Sequence, residues 1–362
     1  MKPITHGAVL LGLALSIIPI VSAEKYDMIR EYSGSTFFNG WDFYGAADNL
    51  TNGDANFVTA DQAASSKLAF VDPASNHAFV KVDNVTQVAP LQKRDTVRIQ
   101  TSVRYGIGSV WIADFLHVPY GCSVWPAWWS QAPIWPQGGE IDTFEGVNMI
   151  TNNRMSLHTT PGCTQMGQQQ TSSQILSPDC SADDNNNMGC VNTDPNPASY
   201  GAPFAQAGGG IFVTELAASG VSIWFFSRKD IPSVLSSGNS FDTSQLGLPT
   251  ANYPNTGCDP AKFFQPQHLI LDITLCGDFA RPTISDTCPS TPDQCYPQYV
   301  LGPPTNYDTA YFEIASIRVF SKTGTNTTVT DSSGAYRPSI FVNGLGSWTM
   351  YLLTGMFIWA MM

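Results

Sequence analysis

Six apolar runs constrain the fold of this chain more than any other feature. "HAFVKVDNV", "TVRIQTSVRY", "SVWIADFLHV", "VSIWFFSR", "HLILDITL" and "AYFEIASIRVF" are rich in β-branched and aromatic residues and are bounded by Gly, Pro, Asn and Asp. Long helical periodicity is missing: "DQAASSKLAF" and "IPSVL" leave room for short helices only. Many strands between turn residues, with no alternation of strand and helix, predict an antiparallel sandwich or barrel. Residues 161–210 break the pattern. Their sequence, from "PGCTQMGQQQ" through "SADDNNNMGC", is polar and irregular and predicts a long surface loop held by cysteines; loops of that length commonly face a ligand.

Both ends read as processing signals. Residues 1–23 carry Lys2, an apolar run and then Val21-Ser22-Ala23, the form of a secretory signal peptide. Residues 334–362 end in the uncharged "SWTMYLLTGMFIWAMM", preceded by small residues and a polar spacer. That order is the signature of a glycolipid (GPI) anchor signal, with Ser333 as the attachment site and the cell surface or wall as the expected location. Residues 323–333 read as a Ser/Thr-rich tether, which leaves 24–322 as one folded domain.

Eight cysteines form an even set without CxxC or Cys/His clustering, so disulfides are expected rather than a metal site. The spacings Cys180 to Cys190 and Cys288 to Cys295 look like short bridged loops, although sequence alone does not choose among the possible pairings. Sequons at Asn49, Asn84 and Asn326 fit passage through the secretory pathway. A formal net charge of −12 argues against nucleic acid and anionic lipid surfaces as partners. Abundant Asn, Ser, Thr, Gly and aromatic residues suit an uncharged, hydroxyl-rich ligand instead.

Within "WPQGGEIDTFEGVN", three acids fall in six residues: Glu140, Asp142 and Glu145. Strand alternation places Glu140 and Asp142 on one face and Ile141 on the other. Glu145 has the wrong parity, and one extra residue, a β-bulge at Thr143-Phe144, would bring it to the same face. Like charges so close raise one another's pKa, and no Lys or Arg lies between Arg104 and Arg154 to neutralise them. Splitting the protonation of two carboxyls is what glycosidic-bond cleavage requires; a solvated acidic strand or a set of calcium ligands is the alternative. Trp125, Trp128, Trp129 and Trp135, all within eleven residues just upstream, favour the sugar reading, because aromatic faces stack on pyranose rings. One or two of them belong in the core.

"GGEIDTFEGVN" is similar to the active-site signature of glycoside hydrolase family 16, in its bulged ExDxxE form. "IADFLHVPYGCSVWPAWW", "MSLHTTPGC" and "DITLCGDFA" resemble the flanking blocks of fungal endo-1,3(4)-β-glucanases, in the same order. The resemblance spans roughly residues 26–322. It implies a concanavalin-like β-jelly roll of two curved antiparallel sheets, with substrate across the concave one. It also implies Glu140 as nucleophile, Glu145 as general acid/base and Asp142 as the group that tunes them. Trp128 and Trp135 match positions lining the sugar subsites, and His158 matches a cleft histidine near the acid/base. The enzyme would be a retaining endo-β-glucanase, a monomer without cofactor, acting on β-glucan polysaccharide. One departure is Phe279, where the family block usually carries Trp; a phenyl ring stacks more weakly and lacks the N–H donor.

Two other functions compete. A transglycosylase of the same fold would suit an anchored enzyme, but wall-crosslinking members resemble the unbulged ExDxE form. A non-catalytic glucan-binding protein would not need both Glu140 and Glu145.

Overall fold

The computed structural model describes residues 24–165, 171–236 and 238–330. The expected signal peptide, Ser333 and the anchor signal at 334–362 lie outside the described residues, as do the glutamines 168–170. Two large antiparallel sheets dominate. One has eight strands in the order Gln174–Ile175, Cys190–Thr193, Arg154–His158, Glu140–Glu145, Val124–Gln131, His268–Leu275, Arg98–Thr101 and Trp41–Phe43. The other has nine, centred on Tyr311–Lys322, Ser109–His117, Gly210–Ala217 and Gly220–Ser227.

The sheets pack face to face through Phe144 against Phe212 and Phe312, and Phe115 against Trp128. The nine-stranded sheet also has its outer face covered: Val110, Ile112, Val213 and Phe320, with Phe241 of an edge strand, pack against Leu235 and Leu246. Burial on both faces explains why "SVWIADFLHV" is apolar almost throughout instead of alternating. All six runs form strands, and the two weak helical stretches give only Ala60–Ser65 and Ser233–Ser236. Thr59 fixes the first of these with a capping box to Gln62. A small third sheet adds one parallel pair, Ala55–Phe57 with Arg94–Thr96, beside the antiparallel pairs expected from sequence.

The cysteines pair as Cys122–Cys288, Cys163–Cys258, Cys180–Cys190 and Cys276–Cys295. Cys180–Cys190 closes the short loop expected, and with Cys163–Cys258 it staples residues 161–210. Cys288 and Cys295 do not pair with each other, because each meets a cysteine beside the Val124–Gln131 and His268–Leu275 strands. The tether also requires correction. Thr328–Thr330 pairs with Val103–Tyr105 and Thr327 is buried, so residues 323–330 continue the domain. Asn49 and Asn326 are exposed, while Asn84 is half-buried and donates to Asp308 Oδ1 at 2.7 Å. Among the described residues no helix is long and apolar enough to cross a membrane.

Candidate active site

Glycines bring the chain into the acidic strand. At Gly139 φ is +73°, and a Cβ would lie 2.5 Å from the Phe264 ring and 2.6 Å from the Phe263 carbonyl oxygen, so only glycine fits. The strand then alternates regularly: Glu140 opposes Gln131 and His158, and Asp142 opposes Trp129 and Ser156. Directly opposed residues share a face, so these six line one surface while Ile141 enters the core.

Beyond Asp142 the register shifts. Phe144 opposes Trp128 and Glu145 opposes Ala127, leaving Thr143 without an opposite residue on that side. On the other side Thr143 and Phe144 together span Met155. This is the predicted β-bulge. Thr143 and Phe144 both turn inward, to Thr214 and to Phe212 of the other sheet. Glu145 thereby rejoins Glu140 and Asp142 on the outer face.

Three tryptophans send indole N–H groups to carboxylates on that face. Trp135 Nε1 donates to Glu140 Oε2 at 2.5 Å, Trp125 Nε1 to Glu145 Oε1 at 2.9 Å, and Trp129 Nε1 to Asp272 Oδ1 at 2.6 Å. Trp128 does not join them. It is fully buried, edge-on to Phe115, because its place between Ala127 and Trp129 turns it to the inner face. The sugar-lining role expected for Trp128 is therefore corrected to a core role. Trp128→Ala should cost about 3–5 kcal/mol of stability, read by chemical denaturation; a loss below about 1 kcal/mol would contradict its burial.

His158 lies beside Asp142 and opposite Glu140, with Nε2 3.4 Å from Asp142 Oδ2 and Nδ1 3.0 Å from Asn187 Oδ1. Ser156 Oγ donates to Asp142 Oδ2 at 2.5 Å. Positive charge reaches the cleft from flanking strands. Arg98 is buried, 4.8 Å over the Trp129 ring and 3.8 Å from Asp272 Oδ1, and Arg154 opposes Glu145. Phe279 stands edge-on to Trp125 at 5.5 Å, with the Arg154 guanidinium 5.3 Å over its ring.

Burial raises all three acids, and the neighbouring carboxylates raise them further: Glu140 to about 8, Glu145 to about 7, and Asp142 well above its ordinary value. The Trp135 N–H and Arg98 oppose the shift at Glu140, while the Trp125 N–H, His158 and Arg154 oppose it at Glu145. A hydrogen bond between Asp142 and Glu140 favours the charged form of Glu140 and disfavours that of Asp142, so the two carboxyls share a proton between them. The group titrates as a unit. Oxygens of Glu140 and Asp142 and a ring nitrogen of His158 lie within 4.8 Å of one another, close enough to share a cation. The N–H and O–H donors already placed on these oxygens, from Trp135 and Ser156, are instead those of a proton-handling cluster.

Two glutamates one bulge apart, with a third carboxyl between them on the open face of a β-sandwich, define a carboxylate glycosidase. The profile of the XgeA-like catalytic domain of glycoside hydrolase family 16 matches residues 41–320. The chain belongs to glycoside hydrolase family 16. It is 35% identical to a probable glycosidase of Schizosaccharomyces pombe over 306 residues, covering 83% of this chain and 71% of that protein. It is 37% identical to a probable endo-1,3(4)-β-glucanase of Neosartorya fischeri over 305 residues, covering 82% of this chain and 46%, about half, of that longer protein. Among solved structures it is similar to laminarinase 16A of Phanerochaete chrysosporium, holding 6-O-glucosyl-laminaritriose in donor and acceptor sites, with 31% identity and TM-score 0.77 over 82% of this chain and all of that one. An elongating family 16 β-1,3-glucosyltransferase is also similar, with 31% identity and TM-score 0.75 over the same shares.

Proposed function

We propose that this chain is an endo-acting hydrolase of β-1,3- and mixed-linkage β-1,3(4)-glucans that works by double displacement. The observation that carries the reading is the bulged strand, with both glutamates on one face and each oriented by an indole N–H. Glu140 attacks the anomeric carbon while Glu145 protonates the leaving oxygen; a water activated by Glu145 then releases the sugar. The hydrogen bond to Asp142 favours the charged form of Glu140 against the burial that raises its pKa, and His158 Nε2 lies 3.4 Å from Asp142 Oδ2. Trp135, partly exposed beside Glu140, is the aromatic placed to meet the sugar. Sizing the products formed from laminarin and lichenan tests the reading: a ladder of oligosaccharides is expected, and release of glucose alone or of nothing would contradict it.

The similarity to a glucosyltransferase supports a second reading, in which a sugar replaces water as acceptor. Adding a labelled laminari-oligosaccharide separates the two, since only transfer lengthens the label. The surface location read from residues 334–362 is part of the same proposal, and release from cells by a phosphatidylinositol-specific phospholipase tests it.

The alkaline limb of kcat/KM reports deprotonation of the acid in the free enzyme. Glu140, Asp142 and Glu145 titrate together and burial raises all three, so that limb belongs to the cluster and should lie near neutral pH, well above an ordinary carboxyl. The Trp125 N–H favours the charged form of Glu145, so Trp125→Phe should move the limb to higher pH. A limb that stays in place or moves down would contradict the assignment.

A further inference from the structure

We propose that Asn153 is the positioning residue of the catalytic bulge, and that it sets Glu145 through two main-chain hydrogen bonds. The inference rests on the reading of Glu145 as acid/base. A bulge breaks the ladder and leaves main-chain groups to be satisfied elsewhere. Asn153 takes one on each side of Phe144: its Oδ1 accepts the Glu145 N–H at 2.9 Å, and its Nδ2 donates to the Thr143 carbonyl at 2.9 Å. The side chain is fully buried and does not line the cleft. Only an amide offers one acceptor and one donor side by side; a carboxylate offers acceptors alone.

Asn153 is itself held from behind. Its N–H donates to Ser199 Oγ at 2.9 Å, Ser199 Oγ donates to the Asn196 carbonyl at 2.7 Å, and the Asp194 N–H donates to the Asn153 carbonyl at 2.9 Å. The next residue of that segment, Tyr200, stacks on Phe144 of the bulge at 5.4 Å. It also leaves no room at Gly146, where a Cβ would lie 2.3 Å from the Tyr200 ring. Residues 194–200 thus brace the bulge through Asn153 and Tyr200, and the brace ends on the main chain of Glu145.

A positioning role for the acid leaves a signature that general loosening does not. A sugar leaving group needs the proton of Glu145, whereas dinitrophenolate leaves without one. In the full chain, Asn153→Ala should lower kcat/KM on laminarin about 100-fold, the scale of a catalytic group displaced by about 1 Å. On 2,4-dinitrophenyl β-laminaribioside the fall should be less than about 10-fold, and azide should raise kcat by attacking the glycosyl-enzyme in place of activated water. Equal losses on both substrates, or no loss on either, would overturn the proposal. If Asn153→Ala does not fold, Asn153→Asp decides by the same ratio, since it keeps the acceptor for the Glu145 N–H and sets a second acceptor against the Thr143 carbonyl in place of the donor. A wild-type chain inactive on both substrates would sink the underlying enzymatic reading, whatever the variants do.

Discussion

Glu140→Gln should reduce turnover of β-glucan by about 10⁴-fold or more, the scale on which a catalytic unit fails when its nucleophile is removed. Glutamine keeps the size of the side chain and can still accept the Trp135 N–H through its amide oxygen, so the fold should survive. It cannot form the glycosyl ester. The same variant should gain stability as the pH rises. A carboxyl whose folded-state pKa lies above its unfolded value binds more protons folded than unfolded. Its contribution is fully present below about 4.5 and is lost as pH climbs to about 8, the value to which Glu140 is pushed. The melting temperature of wild type should therefore fall relative to Glu140→Gln between pH 4.5 and 8. Near-normal hydrolysis by the variant would remove Glu140 from the mechanism, and a difference in melting temperature independent of pH would contradict the raised pKa of Glu140.

Glu145→Ala should cost about 10²–10⁴-fold on laminarin, the range typical of a lost general acid/base. On an aryl glycoside with a good leaving group the first step needs no proton, so the glycosyl-enzyme forms and then waits for a base. Azide needs no base and should restore turnover, giving a β-glycosyl azide if Glu140 is the nucleophile. Rescue of Glu140→Ala instead, with an α-azide, is the complementary expectation, because azide then attacks the sugar directly. Rescue patterns reversed between the two positions would exchange their roles.

Much of this site was legible in the sequence because it depends on local periodicity. Parity alone put Glu140 and Asp142 together and required a bulge before Glu145, and the register shows that bulge at the expected residues. The strands themselves were legible from β-branched and aromatic runs. Trp128 was misplaced because a motif gives residue type and order, whereas its face is set by alternation along Val124–Gln131; Trp125 and Trp129 share the open face and Trp128 the inner one. The same alternation, applied to that strand, would have made the distinction. Arg154 lies on the strand next after the acids and meets Glu145 across a hairpin. Arg98 and Asp272 were out of reach. Their nearness to the acids comes from strands paired across long separations, a property of topology and not of spacing. Cys288 and Cys295 show the same limit, since their true partners, Cys122 and Cys276, lie on or beside other strands. Thr328–Thr330 looked like a tether by composition, yet its main chain pairs with Val103–Tyr105, and main-chain pairing leaves little trace in a Ser/Thr-rich sequence.

The central claim is that two carboxyls of one bulged strand act on the same anomeric centre, one as nucleophile. Carboxyl groups about 5–5.5 Å apart give a covalent intermediate and retention, whereas about 6.5–9.5 Å leaves room for a water and gives inversion. Proton NMR of the first minutes of laminarin cleavage reads the outcome directly, before mutarotation mixes the anomers. The new reducing ends should appear first as the β-anomer. An α-anomer appearing first would contradict the account and make Glu140 a base that activates water.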